Sequence, residues 1–157
     1  MTPPSDTQPE IVDVELITAA VVRDVVEMSA MSDFFDQAFG QILATLVAEG
    51  IEPTGPPFAL YHGPPAATAD LEVGFPVDRV IGAVEPVEPG STPAGRVARL
   101  VHVGPYDELG PSWERLGAWI GAQGETPTAD LWEVYVTEPT PETDPADLRT
   151  ELNWRLA

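Results

Sequence analysis

The chain has 157 residues, 43% of them hydrophobic, which suits one domain or two fused half-domains with a real core. Its 26 acidic residues stand against 7 Lys and Arg, a net charge of −19, so the surface repels phosphates, argues against direct DNA or RNA binding and attracts cations. Cysteine is absent, the two histidines (His62 and His102) are far apart, and neither a run of ~18 apolar residues nor a basic, hydrophobic N-terminus is present, which argues against disulfides, a metal centre or other cofactor, a membrane span and a signal peptide and leaves a soluble cytoplasmic protein as the expectation.

Residues 1–10 are polar and Pro-rich and are expected to form a disordered tail. Residues 11–26, dense in Val and Ile, read as one long strand or two short ones. An amphipathic helix follows, because Phe35, Ala38, Phe39, Ile42, Leu43, Leu46 and Val47 recur at the spacing of one helical face. Ser32 or Asp33 can cap its start, Gly50 can end it, and Pro53 bars its continuation. Residues 58–62 and 71–75 read as strands joined by a Gly-Pro-Pro-Ala-Ala loop, and 80–84 as a short strand. Residues 85–95 carry three prolines and two glycines and read as a linker. A strand over 96–103 leads into a second helix that begins near Asp107, carries Leu109, Trp113, Leu116 and Ile120 on one face, and ends at Gly124. Strands over 131–136 and 150–156, separated by a Pro/Thr/Glu loop, complete the chain.

The two halves match at a shift of 74 residues. Asp33, Ala44, Ala48, Gly50, Pro53, Thr54 and Tyr61 pair with Asp107, Ala118, Ala122, Gly124, Pro127, Thr128 and Tyr135. These are seven identities in 29 ungapped positions, where unrelated segments of ordinary composition give roughly two. The helix face repeats in register, Phe35 with Leu109, Phe39 with Trp113, Ile42 with Leu116 and Leu46 with Ile120. After a loop five residues longer in the second half, Glu72, Phe75 and Val77 match Glu151, Trp154 and Leu156. The expected fold is therefore α+β: two tandem strand–helix–strand–strand repeats, about 11–84 and 96–157, related by a pseudo-two-fold axis around a central cleft.

One residue breaks the repeat. In Trp132-Glu133-Val134-Tyr135-Val136, alternate side chains point to opposite faces, so Glu133 and Tyr135 share one face and Trp132, Val134 and Val136 the other. Tyr135 has its counterpart in Tyr61, whereas Glu133 aligns with Ala59. A generic surface acid has no reason to favour one copy; a site for one ligand in one orientation needs one charge.

The runs 102–109 (His-Val-Gly-Pro-Tyr-Asp-Glu-Leu), Trp113, Leu116, Trp119, Gly124, 132–135 (Trp-Glu-Val-Tyr) and 150–152 (Thr-Glu-Leu) resemble the GyrI-like small-molecule-binding domain, which also serves as the effector-binding part of some AraC-type and MerR-type multidrug regulators. The first half agrees through 58–62 and 71–77, and the resemblance covers about residues 11–156. It implies a cleft whose ligand-binding glutamate maps onto Glu133, with Tyr61, Tyr106 and Tyr135 among the surrounding aromatics. Trp113 joins this candidate set as an aromatic of the second helix, although its match to Phe39 favours core packing. The implied ligand is a hydrophobic, aromatic or cationic drug-like compound. Two alternatives come with the family: hydrolysis of reactive cyclopropane-bearing alkylating compounds, for which Glu133 would orient water and Tyr135 would hydrogen-bond an oxyanion, and a protein-interaction role towards DNA gyrase or a regulator. No DNA-binding region precedes residue 11, so a free-standing domain is expected. Arg155 stands where such domains usually carry proline and is expected to bring a positive charge near the cleft. His102, between Val101 and Val103, reads as a structural residue, and Glu72 and Glu151 read as solvated strand residues.

Overall fold

The computed structural model describes residues 6–137 and 141–157. Among these the chain runs β1 (Glu10–Val14), β2 (Ile17–Glu27), α1 (Met31–Glu49), β3 (Phe58–His62), β4 (Thr68–Pro76), β5 (Glu88–Thr92), β6 (Gly95–Val103), α2 (Leu109–Ala122), β7 (Pro127–Tyr135) and β8 (Arg149–Leu156). The eight strands form one antiparallel sheet in the order β1-β6-β8-β7-β3-β4-β2-β5. No helix among the described residues is long and apolar enough to cross a membrane.

The Val-rich stretch over 11–26 breaks at Glu15-Leu16 into two strands that go to opposite ends of the sheet: β1 pairs with β6, and β2 lies between β4 and β5. Of the tail expected over 1–10, residues 1–5 lie outside the described residues. Asp6 and Thr7 are not a loose tail: Thr7 exchanges hydrogen bonds with Val101, Asp6 accepts from the Val103 N–H, and Glu10 already belongs to β1. Polar side chains that satisfy a strand edge look the same in composition as those that stay in solvent. Residues 138–140 of the expected Pro/Thr/Glu loop also lie outside the described residues.

Residues 80–84 do not form the expected strand; Val84 makes only an isolated bridge to Val87. The strand forms instead as β5, inside the stretch read as a linker. It is an edge strand that pairs only with β2, and such a strand tolerates Pro89 because one side of its backbone makes no ladder bonds. The start of α1 also differs. A 3-10 turn at Met28–Ala30 leads in and Ala30 occupies the cap position, so Ser32 and Asp33 lie within the first turn. Asp33 still interacts favourably there with the helix dipole. Gly50 (φ 69°) and Gly124 (φ 74°) end the two helices in the left-handed conformation, which glycine adopts without a Cβ penalty.

The helices cover the two ends of one sheet face. From α1, Ala38, Ile42 and Leu46 pack with Val22, Leu71 and Val73 of β2 and β4, while Leu43 and the strongly exposed Val47 of the expected apolar stripe point outward. From α2, Leu116 and Ile120 pack with Ala98, Leu100, Leu152 and Leu156 of β6 and β8. The middle strands β3 and β7 are left between them. On the opposite face Phe58, Leu60, Val97 and Trp132 form a separate packed cluster with Ala19 and Val21. Val14 of β1 and Thr92 at the end of β5 meet Phe58 and Trp132 around a small hollow on this face, so the sheet curls with the helices on its outer side. Val136 falls just past β7 and is exposed.

Candidate functional site

Leaving β3 and β7 uncovered makes a cleft of about 990 Å³ between the helices. Its floor is Glu133, Leu131 and Tyr135 of β7 with Tyr61 of β3. Phe35 and Phe39 of α1 form one wall, and Trp113 of α2 with Trp154 of β8 the other. Tyr106 closes one side from the 3-10 turn Tyr106–Glu108 that precedes α2. Asp36 and Glu114 lie exposed at the rim, one on each helix.

The local sequence explains why the acid survives on a core strand. Across the ladder Glu133 pairs with Ala59 on one side and Leu152 on the other. The alanine is wholly buried and leaves the carboxylate a small neighbour on that side. Glu133 is only 7% exposed. Its Oε1 accepts from the Trp113 indole N–H at 2.9 Å and its Oε2 from the Tyr135 hydroxyl at 2.8 Å. Among the described residues it has no ion-pair partner. Burial pushes its pKa above the ordinary 4.5, against the opposing pull of the Trp113 and Tyr135 hydrogen bonds and of nearby His102. The phenols respond to the same environment. Burial, followed by the Glu133 charge, raises Tyr61 and Tyr106, and raises Tyr135 well above its usual 10. All three are therefore neutral donors and aromatic surfaces at physiological pH.

Phe35 and Phe39 stack on each other, and the other ring pairs of the cleft meet edge to face. Tyr106 meets Tyr135 at 5.8 Å between centroids, Phe35 meets Tyr135 at 6.3 Å and Trp113 meets Trp154 at 5.8 Å. A Cβ on Gly117 would stand 3.3 Å from Trp154, so the glycine in α2 lets that ring approach the helix closely. Chemically the floor of the cleft offers one buried carboxylate, neutral donors already engaged with it, and several π faces, with Asp36 and Glu114 exposed at the rim. A cation entering it meets a carboxylate with no direct ion-pair partner among the described residues and rings that attract it through their quadrupoles.

All five residues singled out from sequence (Glu133, Tyr135, Tyr106, Tyr61 and Trp113) line this one cleft. Trp113 both packs against Trp154 and holds Glu133, so its two readings are one role. Arg155 does not approach the cleft. It lies on the opposite face and pairs with Asp130 at 3.2 Å, because strand alternation turns it away from its neighbour Trp154. Glu72 and Glu151 also face away. Glu72 contacts His62 at 2.6 Å and Glu151 pairs with Arg99, so neither is a simply solvated acid. His102 is buried and bonded, as a structural residue should be. Phe35, Phe39 and Trp154 were missed as cleft residues. The first two follow the helical stripe that reads as core, and the signal that points to Phe39 is its match with Trp113.

A family model for the GyrI-like small molecule binding domain matches residues 7–157. The fold is similar to the crystal structure of the EcmrR C-terminal domain, at 22% identity and a TM-score of 0.83, covering 96% of this chain and 97% of that one. It is also similar to EcmrR in a cryo-EM structure of an EcmrR–DNA complex, at 21% identity and a TM-score of 0.84; 95% of this chain matches there, and it spans only 57% of the longer chain. A third likeness is SAV2435 bound to tetraphenylphosphonium, at 10% identity and a TM-score of 0.71, covering 96% and 94%. No curated protein matches the chain.

Proposed function

Since the chain belongs to the GyrI-like family of small-molecule-binding domains, we propose that its cleft binds a lipophilic aromatic cation, with Glu133 as counter-charge and Tyr61, Tyr106, Tyr135 and Trp113 as ring contacts. The observation that carries this reading is the state of Glu133: nearly buried, held by two neutral donors, and without a direct ion-pair partner among the described residues. A carboxylate kept in an apolar hollow costs stability unless a charge arrives to compensate it. A ligand without N–H groups suits the site, because both oxygens already accept hydrogen bonds and the remaining attraction is Coulombic and cation–π. Asp36 and Glu114 at the rim, and the net charge of −19, draw cations towards the opening. The ligand of SAV2435, a lipophilic phosphonium, is of this class.

The same proposal takes the chain as two tandem halves, about 11–84 and 96–157, joined by 85–95 and related by a pseudo-two-fold axis. Two facts support it. In the sheet, β6-β8-β7 on one side answers β2-β4-β3 on the other. Ala59 and Glu133, matched in the sequence repeat, are direct ladder partners at the join. An axis there passes between a methyl group and a carboxylate, which gives the cleft one charge and one ligand polarity.

Titration with tetraphenylphosphonium tests the reading, with calorimetry and product analysis run together. Saturable one-to-one binding, weakened at least about tenfold, or about 1.4 kcal/mol, by Glu133→Gln is expected. Equal affinity in the variant would overturn the role of Glu133. Offering a cyclopropane-bearing alkylating compound in place of the phosphonium tests the hydrolytic alternative. Steady product formation that stops in Glu133→Gln would move the reading to hydrolysis.

A further inference from the structure

The segment ahead of β1 carries a polar cluster that binding by the cleft does not account for. Thr7 lies along β6: its N–H donates to the Val101 carbonyl at 2.9 Å and its hydroxyl accepts from the Val101 N–H at 2.8 Å. Asp6 then turns under α2. Its Oδ1 accepts from the Val103 N–H at 3.0 Å and stands 3.2 Å from His102 Nδ1. Its Oδ2 accepts from the Ser112 hydroxyl and pairs with Arg115 at 3.0 Å. His102 Nδ1 is bonded to Ser112 Oγ at 2.7 Å, and the Pro105 carbonyl accepts from His102 Nε2–H at 3.0 Å. Ser112 is 4% exposed and His102 3%. Burial would raise the Asp6 pKa, but the hydrogen bonds from Ser112 and Val103, with the His102 and Arg115 charges, outweigh it and hold it below the ordinary 3.8.

Two residues that this cluster fixes adjoin two cleft residues. Ser112 precedes Trp113 on the first turns of α2, and one helical step of about 100° turns the serine to β6 and the tryptophan to Glu133. Pro105 precedes Tyr106. The rest of the α2 interface with β6 and β8 is apolar, Leu116 and Ile120 against Leu100 and Leu152 with Trp119 and Trp154 beside them, and such packing is largely non-directional. Hydrogen bonds weaken steeply with angle, so the polar end of the helix is what fixes its register and rotation. We propose that Asp6 is a positioning residue of the cleft. Through Ser112 and Arg115 it sets the rotation of α2 that brings the Trp113 indole onto Glu133, and so couples the segment ahead of β1 to the occupancy of the ligand site. A ligand that draws Trp113 off Glu133 loosens the same turn from Asp6, and by linkage the loss of Asp6 changes ligand affinity. Only this last, ligand-linked part rests on the function proposed above.

The test compares wild type, Asp6→Asn, Asp6→Glu and Ser112→Ala as full chains by two-dimensional NMR. The indole N–H resonance of Trp113 is assigned by its loss in Trp113→Phe. In Asp6→Asn and Ser112→Ala it should leave its carboxylate-bonded position, with faster amide exchange at Val103; Asp6→Glu should restore part of both. An unmoved indole resonance in a folded variant whose Val103 amide exchanges fast would overturn the proposal. Should Asp6→Asn fail to fold, Ser112→Ala decides by the same criterion. A second arm measures tetraphenylphosphonium affinity, expected to change roughly fivefold in Asp6→Asn; an unchanged affinity would remove the ligand coupling. If wild type does not bind tetraphenylphosphonium, the binding reading fails, and the indole resonance, which needs no ligand, still decides the positioning role.

Discussion

Trp132 and Glu133 are neighbours on β7, 4% and 7% exposed, and they are buried for opposite reasons. Trp132 is closed in by Phe58, Leu60 and Val97 on the inner face of the curled sheet. Glu133 is out of reach of bulk water because aromatic walls rise around it, yet the space above it is empty enough to admit a guest. Low exposure from packing contributes to stability. Low exposure inside a hollow costs stability, and under the proposed function it serves recognition, so the two faces of one strand would divide these tasks between alternate residues.

Truncation should separate them most sharply. Trp132→Ala removes a close-packed ring and is expected to cost about 3–5 kcal/mol of unfolding free energy, read by denaturant titration. A loss under about 1 kcal/mol would mean that the inner face is as loosely packed as the cleft. Glu133→Gln should do the reverse: while weakening cation binding, it should leave stability at neutral pH intact or raise it on the order of 1 kcal/mol, since a buried charge is removed. A clear drop in melting temperature at pH 7 would show that the carboxylate is structural.

The sign of the pH dependence follows from the raised pKa of Glu133. Stability linked to its protonated form is fully present below the unfolded-state value near 4.5 and is lost as pH rises through the higher folded-state value. Wild type should therefore lose ground to Glu133→Gln as pH climbs from about 4.5. Over the same window affinity for a permanent cation should rise, because the ligand needs the ionised form. The smallest effect is expected from Tyr135→Phe. It deletes one hydrogen bond to the carboxylate, costs about 1 kcal/mol or less of cation affinity, and shifts the pH midpoint of binding upward, because a contact that favours the charged form is gone. A downward shift would mean that the hydroxyl does not stabilise the carboxylate.

The sequence signals were strongest where a single period or a special residue governs the outcome. The helix over 31–49 follows from its apolar spacing, and both helix ends follow from Gly50 and Gly124. The strands over 58–62, 96–103 and 150–156 emerged nearly at their observed bounds. The signals were weakest where partners are remote. Residues 80–84 have strand-like composition but no ladder to join, whereas 88–92, rich in Pro and Gly, is held as an edge strand by β2. Asp6 looked like a polar tail because its partners Val103, Ser112 and Arg115 are about a hundred residues away. Arg155 looked like a cleft residue until the register of β8 turned it to the other face.

The amino-acid order by itself therefore determined an acidic chain whose halves match at a fixed shift, a carboxylate at Glu133 where the matched position is Ala59, and the five aromatic and acidic residues to watch. These are local quantities: charge, period, alternation and matching intervals. Tertiary structure alone decided that α1 and α2 cover the ends of the sheet and leave its centre open, that Ala59 lies directly beside Glu133, and that Trp113 and Tyr135 hold the acid in place. The reason is physical. A cleft is the absence of packing between elements, and no single stretch of chain records what fails to cover it.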